Sequence, residues 1–215
     1  MTTLRAPSLL TFDIFGTVVD WRRGLTEAAR SRGVEVGERE FQAVIDWQAR
    51  SESQPYRSYA DILAESLVKV LRLDRKASRA IAAGAGRWPL FPDSADGLRT
   101  LMRSAPCVAM TNSDQKHGRQ VEDQLGFRLS GWICAEEVRC YKPAAEFWIA
   151  VGARRGVPFG PAWWHVSAYA DYDLATASRL GLTTVFVKRP HSIWGPSALE
   201  TADLRVLAAS LGRGS

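Results

Sequence analysis

The stretch LTFDIFGTVVDW, residues 10–21, leads from an apolar segment into a single carboxylate, Asp13, and then into a Gly-Thr pair that favours a turn. An unbroken apolar run is typical of a parallel strand that is buried on both faces. Sheets of such strands bind ligands at the carboxyl ends of the strands. The stretch therefore predicts a buried first strand over residues 8–13, with Asp13 at the end where ligands bind.

Later segments repeat this pattern of an apolar run that ends in a polar residue. They are PCVAMTN (106–112), WWHVSA (163–168) and TTVFVKR (183–189). Helical patterns lie between them, including those at 115–125, 143–155 and 173–180. Strands that alternate with helices predict an α/β protein with a Rossmann-like, doubly wound parallel sheet. Asp13, Asn112 and Asp173 are expected to meet at the carboxyl edge of that sheet.

Residues 20–85 have a different character, because their apolar residues follow helical spacing and they contain no convincing strand. The segment GRWPLFPDS (86–94) then combines prolines with a glycine, which marks a boundary. We expect a helical cap domain, residues 20–85, inserted after the first strand. The core domain is expected to consist of residues 1–19 and 86–215.

The composition is that of a globular protein of 215 residues, of which 46% are hydrophobic and 24% charged. No apolar run reaches the roughly 18 residues that a membrane span needs, and the N-terminus shows no leader pattern. The three cysteines, Cys107, Cys134 and Cys140, form no C-x-x-C pair, and the first two are expected in strands. These features favour a cytoplasmic protein with reduced thiols.

The net charge of +5 is spread along the chain rather than gathered in one block. No nucleic-acid motif accompanies it, so neither nucleic acid nor a membrane is an expected partner. The histidines His117, His165 and His191 lack metal-ligand spacing and are expected in core or surface roles, with residues 117–120 on an exposed helix.

Four motifs in order resemble the haloacid dehalogenase superfamily. They are FDIFGT with Asp13, TNSD (111–114), CYKP (140–143) and YADYDLATASRLG (169–181). Phosphatases of this superfamily place a second aspartate two residues after the nucleophile, where this chain has Phe15. A halide leaving group needs no proton, so the loss of that acid is tolerable for carbon–halogen cleavage. The first motif resembles that of the type II enzymes, the (S)-2-haloacid dehalogenases.

The resemblance implies a mechanism in two steps without a cofactor. Asp13 would attack the carbon of a small (S)-2-haloalkanoic acid to form an aspartyl ester, which water then hydrolyses to the 2-hydroxy acid. Lys142 would keep Asp13 ionised, and Asp173 would position or activate the water. Substrate contacts are expected from Phe15, Thr111, Asn112 and Ser167.

The fourth motif departs from the family pattern. Residues 169–172 do not reproduce the usual serine-asparagine-tryptophan run, and the segment is one residue longer. Asp171 and Asp173 are therefore two residues apart beside Asp13, a pattern compatible with magnesium. A magnesium-dependent phosphatase is accordingly one alternative.

The cap segment departs as well. Family dehalogenases carry a cap arginine that cradles the halide or the anionic end of the substrate, whereas no arginine aligns in IDWQARSESQPYRSYADIL (45–63). Arg50 and Arg57 are the nearest candidates, Arg22 is a more distant one, and Trp47 is predicted as an aromatic wall of the substrate site.

Two further alternatives stay open. One is a hydrolase of the same type that acts on another small carboxylate electrophile, such as a strained-ring amino acid; Trp148, where the family tends to place a tyrosine, favours a different substrate. The other is a non-catalytic binding protein with the same fold. A small anionic molecule is the expected ligand, and a homodimer is an open expectation because family members often pair through their cap helices.

Overall fold

The computed structural model describes residues 5–212, and within them six parallel strands form one sheet in the order β3-β2-β1-β4-β5-β6. The strands are β1 (Leu9–Phe12), β2 (Cys107–Thr111), β3 (Gly131–Cys134), β4 (Trp163–Ser167), β5 (Thr183–Val187) and β6 (Leu199–Thr201). Every residue of β1, β2, β4 and β5 is buried, which requires cover on both faces of the sheet. The predicted α/β, doubly wound fold is confirmed.

Helices connect and flank these strands. They are α1 (Trp21–Arg30), α2 (Glu38–Glu52), α3 (Tyr59–Leu71), α4 (Arg75–Ala83), α5 (Ser94–Leu101), α6 (Gln115–Leu125), α7 (Ala135–Val138), α8 (Ala145–Arg155), α9 (Ala175–Arg179) and α10 (Leu204–Leu211). None of the helices in the described residues has the length and apolarity to traverse a bilayer.

The strand order reverses at β1, which lies between β2 and β4. Phe12, the last residue of β1, pairs with Ala109 on one side and with Val166 on the other. The residues that follow these three strands therefore share one edge of the sheet, at the point where ligands bind in doubly wound folds. This topology places Asp13 at the centre of that edge.

The four helices α1–α4 follow β1 before the chain returns to the sheet. The outgoing and returning segments touch, because Val19 forms an isolated bridge with Leu90 and the Asp20 amide donates to the Pro89 carbonyl at 2.8 Å. The described helical content of residues 20–85 agrees with a cap, although its division from the core remains an interpretation. Residues 1–4 and 213–215, which are the two ends of the proposed core, lie outside the described residues, and so does the start of the N-terminal segment that shows no leader pattern.

One expectation about surface exposure is wrong. His117, which the sequence placed on an exposed helix, is only 1% exposed. Its Nε2 lies 2.8 Å from the Ala82 carbonyl at the end of α4, because the segment that returns from α4 packs against α6. The charged neighbours of His117 in the sequence gave no sign of that contact.

Candidate active site

Asp13 follows β1 directly, and both of its carboxylate oxygens have fixed partners. Oδ1 accepts from Lys142 Nζ at 3.0 Å, and Oδ2 accepts from Thr17 Oγ1 at 2.7 Å. The Thr17 hydroxyl in turn accepts from the Ala168 amide at 3.0 Å. The turn after β1 and the end of β4 together hold this carboxylate in one orientation.

Lys142 links Asp13 to Asp173, whose Oδ2 accepts from Nζ at 2.9 Å. All three side chains are buried. Burial raises the pKa of Asp13, with Lys142 opposing the shift. Burial also acts to raise the pKa of Asp173, but Lys142 and His165 outweigh it and hold the pKa below its ordinary value. Burial would lower the pKa of Lys142, yet the two carboxylates raise it, so the ammonium stays charged.

His165 extends this chain of contacts into the core. Its Nε2 lies 3.1 Å from Asp173 Oδ1, out of line for a good hydrogen bond, and its Nδ1 lies 2.9 Å from Thr11 Oγ1. The ring of Trp148 packs edge-on against it, with centroids 5.9 Å apart. His165 thus has the core position that the sequence predicted, but it also supports Asp173, and the sequence gave no sign of that contact.

A π-helix, Ala170–Leu174, explains the extra residue in the fourth motif. A π-helical turn accommodates more residues than an α-helical one, and such turns are frequent at functional sites. The turn buries Asp173 beside Lys142 and leaves Asp171 exposed. It is preceded by Tyr169, whose phenol packs so closely over Gly16 that a Cβ at position 16 would clash with its oxygen.

A largely apolar cavity of about 770 Å³ opens beside Asp13. Its aromatic wall comprises Phe15, Trp21, Tyr56, Tyr59, Tyr141, Tyr169 and Tyr172. Five residues predicted for the site line it together: Asp13, Phe15, Thr111, Asn112 and Lys142. A cavity of this volume and character is suited to a small organic ligand.

Asp173 and Ser167 do not line the cavity. Asp173 is buried outside the cavity lining and accepts from Lys142, which does line the cavity. Ser167 is fully buried, and its Oγ accepts from the Tyr169 amide at 3.1 Å. Ser167 therefore holds the turn after β4 rather than reaching a ligand, contrary to its predicted substrate contact. Water activation by Asp173 stays a prediction.

Asn112 is positioned by contacts within the protein. Its Oδ1 accepts from the Lys142 amide at 2.7 Å, and its Nδ2 donates to the Lys142 carbonyl at 2.9 Å. The second hydrogen on Nδ2 is directed to Glu52 Oε2 at 3.0 Å. Because both donors are used, Asn112 orients Lys142 in this structure and leaves no free N–H for a halide.

The structure does not bring Trp47 and Arg50 to the cavity. The inward face of α2 presents Gln48 and Glu52, which are one turn apart, and positions 47 and 50 point to other sides of the helix. Arg50 is exposed to solvent. These two predicted substrate contacts are therefore not supported.

The other arginine candidates also have partners elsewhere. Arg57 forms an exposed ion pair with Glu65 at 2.7 Å, and Arg22 pairs with Glu38. The arginine at the cavity is instead Arg139, three residues before Lys142, whose guanidinium lies 4.1 Å over the ring of Tyr56. Its place just before the third motif was the available signal in the sequence.

Gln48 and Glu52 are the other cavity residues that the sequence interpretation missed. Gln48 continues the buried side of α2 formed by Phe41 and Val44, where a hydrophobic residue would be usual, and Glu52 lies half-buried one turn further on. Burial raises the pKa of Glu52 to about 8, with Asn112 and Lys142 opposing the shift. Polar residues on an inward helix face were the signal that could have revealed them.

The carboxylates at this edge do not fit a magnesium ion. The cation requires oxygen ligands that converge on one point. Asp173 faces Lys142 and His165 rather than the cavity, and Asp171 lines the cavity from its exposed, solvent-facing side. Within residues 5–212, no three His, Cys, Asp or Glu side chains are grouped so that they could hold a metal ion.

Comparison with known proteins places these features in a family. The model of haloacid dehalogenase-like hydrolases matches residues 7–163. A search of curated proteins found no match.

Several solved structures share the fold. A defluorinating L-2-haloacid dehalogenase is 23% identical, with a TM-score of 0.83, 96% of this chain covered and 95% of that chain. The L-2-haloacid dehalogenase of Xanthobacter autotrophicus with chloropropionic acid covalently bound is 17% identical, with a TM-score of 0.80, 97% of this chain covered and 99% of that one. The HAD-hydrolase YfnB of Bacillus subtilis bound to magnesium is 13% identical, with a TM-score of 0.79, 97% of this chain covered and 100% of that one.

Proposed function

This chain belongs to the haloacid dehalogenase-like hydrolase family, and we propose on that basis that it hydrolyses a small (S)-2-haloalkanoic acid to the 2-hydroxy acid. Asp13 is the proposed nucleophile, and an aspartyl ester is the proposed intermediate. The observation that carries the proposal is the Asp13 carboxylate itself, held by Lys142 and Thr17 at the wall of an apolar cavity.

The first step follows from the surroundings of Asp13. Lys142 favours its charged form and fixes one oxygen, while burial makes the carboxylate more basic than one in water. Phe15 lines the cavity two residues further on, where a proton donor would serve an alcohol leaving group. A halide departs without a proton, so this wall suits carbon–halogen cleavage better than cleavage of a phosphate ester.

Charge balance supports the second step. When Asp13 becomes an ester it loses its negative charge, and Lys142 keeps only Asp173 as a counterion. The ammonium then lies 3.0 Å from the former carboxylate oxygen, where it can stabilise negative charge that develops as water attacks the ester. Asp173 is assigned the role of holding Lys142 charged and in place. Arg139 supplies a cation at the cavity for the substrate carboxylate.

The proposal is tested by halide release from the two enantiomers of 2-chloropropionate, with EDTA present. We expect release from the S enantiomer, loss of at least 1,000-fold of that rate in Asp13→Asn, and no effect of EDTA. The variant keeps the shape of the side chain and removes the nucleophile. The control is an unchanged circular dichroism spectrum of the variant.

A single turnover in H₂¹⁸O locates the nucleophile directly. If an aspartyl ester forms, the first product molecule carries oxygen from Asp13 and the label enters the protein, where peptide mass spectrometry finds it. Label found only in the first product would mean direct attack by water and would refute the role of Asp13. Activity that requires added magnesium would favour the phosphatase alternative instead.

A further inference from the structure

Gln48 and Glu52 place a hydrogen-bond donor and an acceptor on the cavity wall. They are four residues apart on α2, so their side chains lie on the same face of the helix. Both residues line the cavity that contains Asp13. Neither has a part in the proposed chemistry, although the inference drawn from them rests on this cavity being the substrate site.

Glu52 lacks a cationic partner. Its Oε2 accepts from Asn112 Nδ2 at 3.0 Å, and within residues 5–212 no Lys, Arg or His nitrogen forms an ion pair with it. The surrounding wall is largely apolar, and burial raises the pKa of its carboxyl to about 8. Glu52 is half-buried by accessible surface, and a carboxylate withdrawn from water into an apolar wall is costly unless it is paired, so a ligand that brought a positive charge would relieve that cost.

Gln48 lacks a partner for its amino group. Its Oε1 accepts from the Tyr59 hydroxyl at 3.2 Å, and this contact fixes the orientation of the amide. Nε2 is then a buried donor without a hydrogen-bond partner in the described structure, on a side chain that lines the cavity. Unpaired buried donors are uncommon, and a ligand oxygen would satisfy this one.

We propose that Gln48 and Glu52 recognise an ammonium-bearing carboxylate, with the ammonium on the Glu52 carboxylate and a carboxylate oxygen on the Gln48 amide. The preferred substrate is thus a small haloacid that also carries an amino group. The cavity volume of about 770 Å³ leaves room for that group beside the reacting carbon. Donor and acceptor on one helix face match the two charged ends of a zwitterion, whereas a simple haloacid would leave Glu52 unpaired.

Binding of unreactive ligands tests the proposal independently of turnover. Isothermal titration calorimetry at pH 8.5 compares 3-aminobutanoate, butanoate and butylamine on the wild-type protein. We expect 3-aminobutanoate to bind at least ten-fold more tightly than butanoate. A preference of less than about two-fold, or tighter binding of butanoate, would overturn the proposal.

Variants assign the preference to its residues. Glu52→Gln, which can still accept from Asn112, should reduce the ten-fold preference to less than about two-fold without weakening butanoate. Gln48→Leu should weaken both carboxylate ligands about equally and leave butylamine unchanged. Asp46→Asn on the exposed side of α2 is the matched control and should change nothing.

The outcomes separate this proposal from the proposed function. An amino preference that survives Glu52→Gln would contradict the assignment, whatever the enzyme turns over. A preference that depends on Glu52, found in a protein that releases no halide, would support the recognition site and count against the haloacid chemistry. Halide release without any preference for the amino ligand would support the haloacid chemistry and count against the recognition site.

Discussion

At the scale of single residues, Asp13 and Phe15 carry opposite properties at one edge of the sheet. Asp13 is charged, buried and held by Lys142 at 3.0 Å, while Phe15 packs against the ring of Tyr59 with centroids 6.2 Å apart. An acid at position 15 could protonate a leaving oxygen, and a phenylalanine cannot. In the proposed reaction, Phe15 therefore favours a leaving group that needs no proton.

Glu52 has a measurable consequence for stability. Its pKa rises from 4.5 in the unfolded chain to about 8 in the folded protein, so between these values the folded state retains a proton that the unfolded state releases. The free energy of unfolding then decreases as the pH rises through this window. The side chain of Glu52→Gln stays neutral at both pH values. We therefore expect the free energy of unfolding of the variant minus that of the wild type to be higher at pH 9 than at pH 5 by about 2 kcal/mol or more.

Urea denaturation of both proteins at pH 5 and pH 9 measures this difference. The contribution of Glu52 is the change in the stability difference between variant and wild type over the two pH values. Lys142, Tyr59, Tyr141 and Tyr172 are the other titratable groups whose charges couple to Glu52, and all are present in both proteins. A difference that does not change with pH would show that Glu52 titrates normally.

At the scale of elements, the site depends on where helices and strands end. The π-helix Ala170–Leu174 absorbs one extra residue and still delivers Asp173 to Lys142. Asp114, at the end of the second motif, reaches across to the start of helix α3. Its two oxygens accept from the Tyr59 amide at 3.0 Å and the Ala60 amide at 2.8 Å. A carboxylate there accepts from amides that have no partner within the helix, and the positive end of the helix dipole stabilises its negative charge.

Asp114→Ala should therefore loosen the start of α3. We expect the free energy of unfolding to decrease by about 1–2 kcal/mol, the usual cost of a lost N-terminal cap. The Tyr59 and Ala60 amides should exchange hydrogen faster, and two-dimensional NMR measures both. Asp114→Asn keeps one acceptor and should cost less. Unchanged exchange at these two amides would contradict the capping role of Asp114, because the Ser58 side chain accepts from the Asp61 amide instead.

At the scale of the whole molecule, one buried ion pair joins distant parts of the chain. The Arg189 guanidinium, beyond β5, donates to Asp93 at 2.7 and 2.9 Å and to the Thr17 carbonyl at 2.9 Å. Asp93 also accepts from the Leu204 amide at 2.8 Å. Burial acts to raise the pKa of Asp93, but Arg189 and this amide hold it below its ordinary value. These contacts connect the turn after Asp13 to the segments that follow β5 and β6.

Arg189→Met should destabilise the protein by about 3–5 kcal/mol, because it leaves the Asp93 carboxylate buried without a counterion. Chemical denaturation at pH 7 measures the loss. Arg205→Met is the matched control, since Arg205 pairs with Asp96 at 3.0 Å on the surface and should cost about 1 kcal/mol or less. Equal losses in the two variants would contradict a special role for the buried pair.

The sequence by itself determined the fold and the family. Apolar runs ending in polar residues predicted β1, β2, β4 and β5, because the buried strands of a parallel sheet must be apolar along their length. The four motifs predicted the family, which is confirmed. The three-residue strand β6 was not predicted, because a strand so short has no clear alternation of its own.

Only the tertiary structure decided which side chains face the cavity. Local patterns do not specify how a helix is rotated against its neighbours, so the sequence interpretation named Trp47 and Arg50 and missed Gln48 and Glu52 on the same helix. The contact between His165 and Asp173 joins two elements whose packing no local pattern specifies. A sequence records the period of each element, whereas the convergence of a site depends on packing between elements that are distant along the chain.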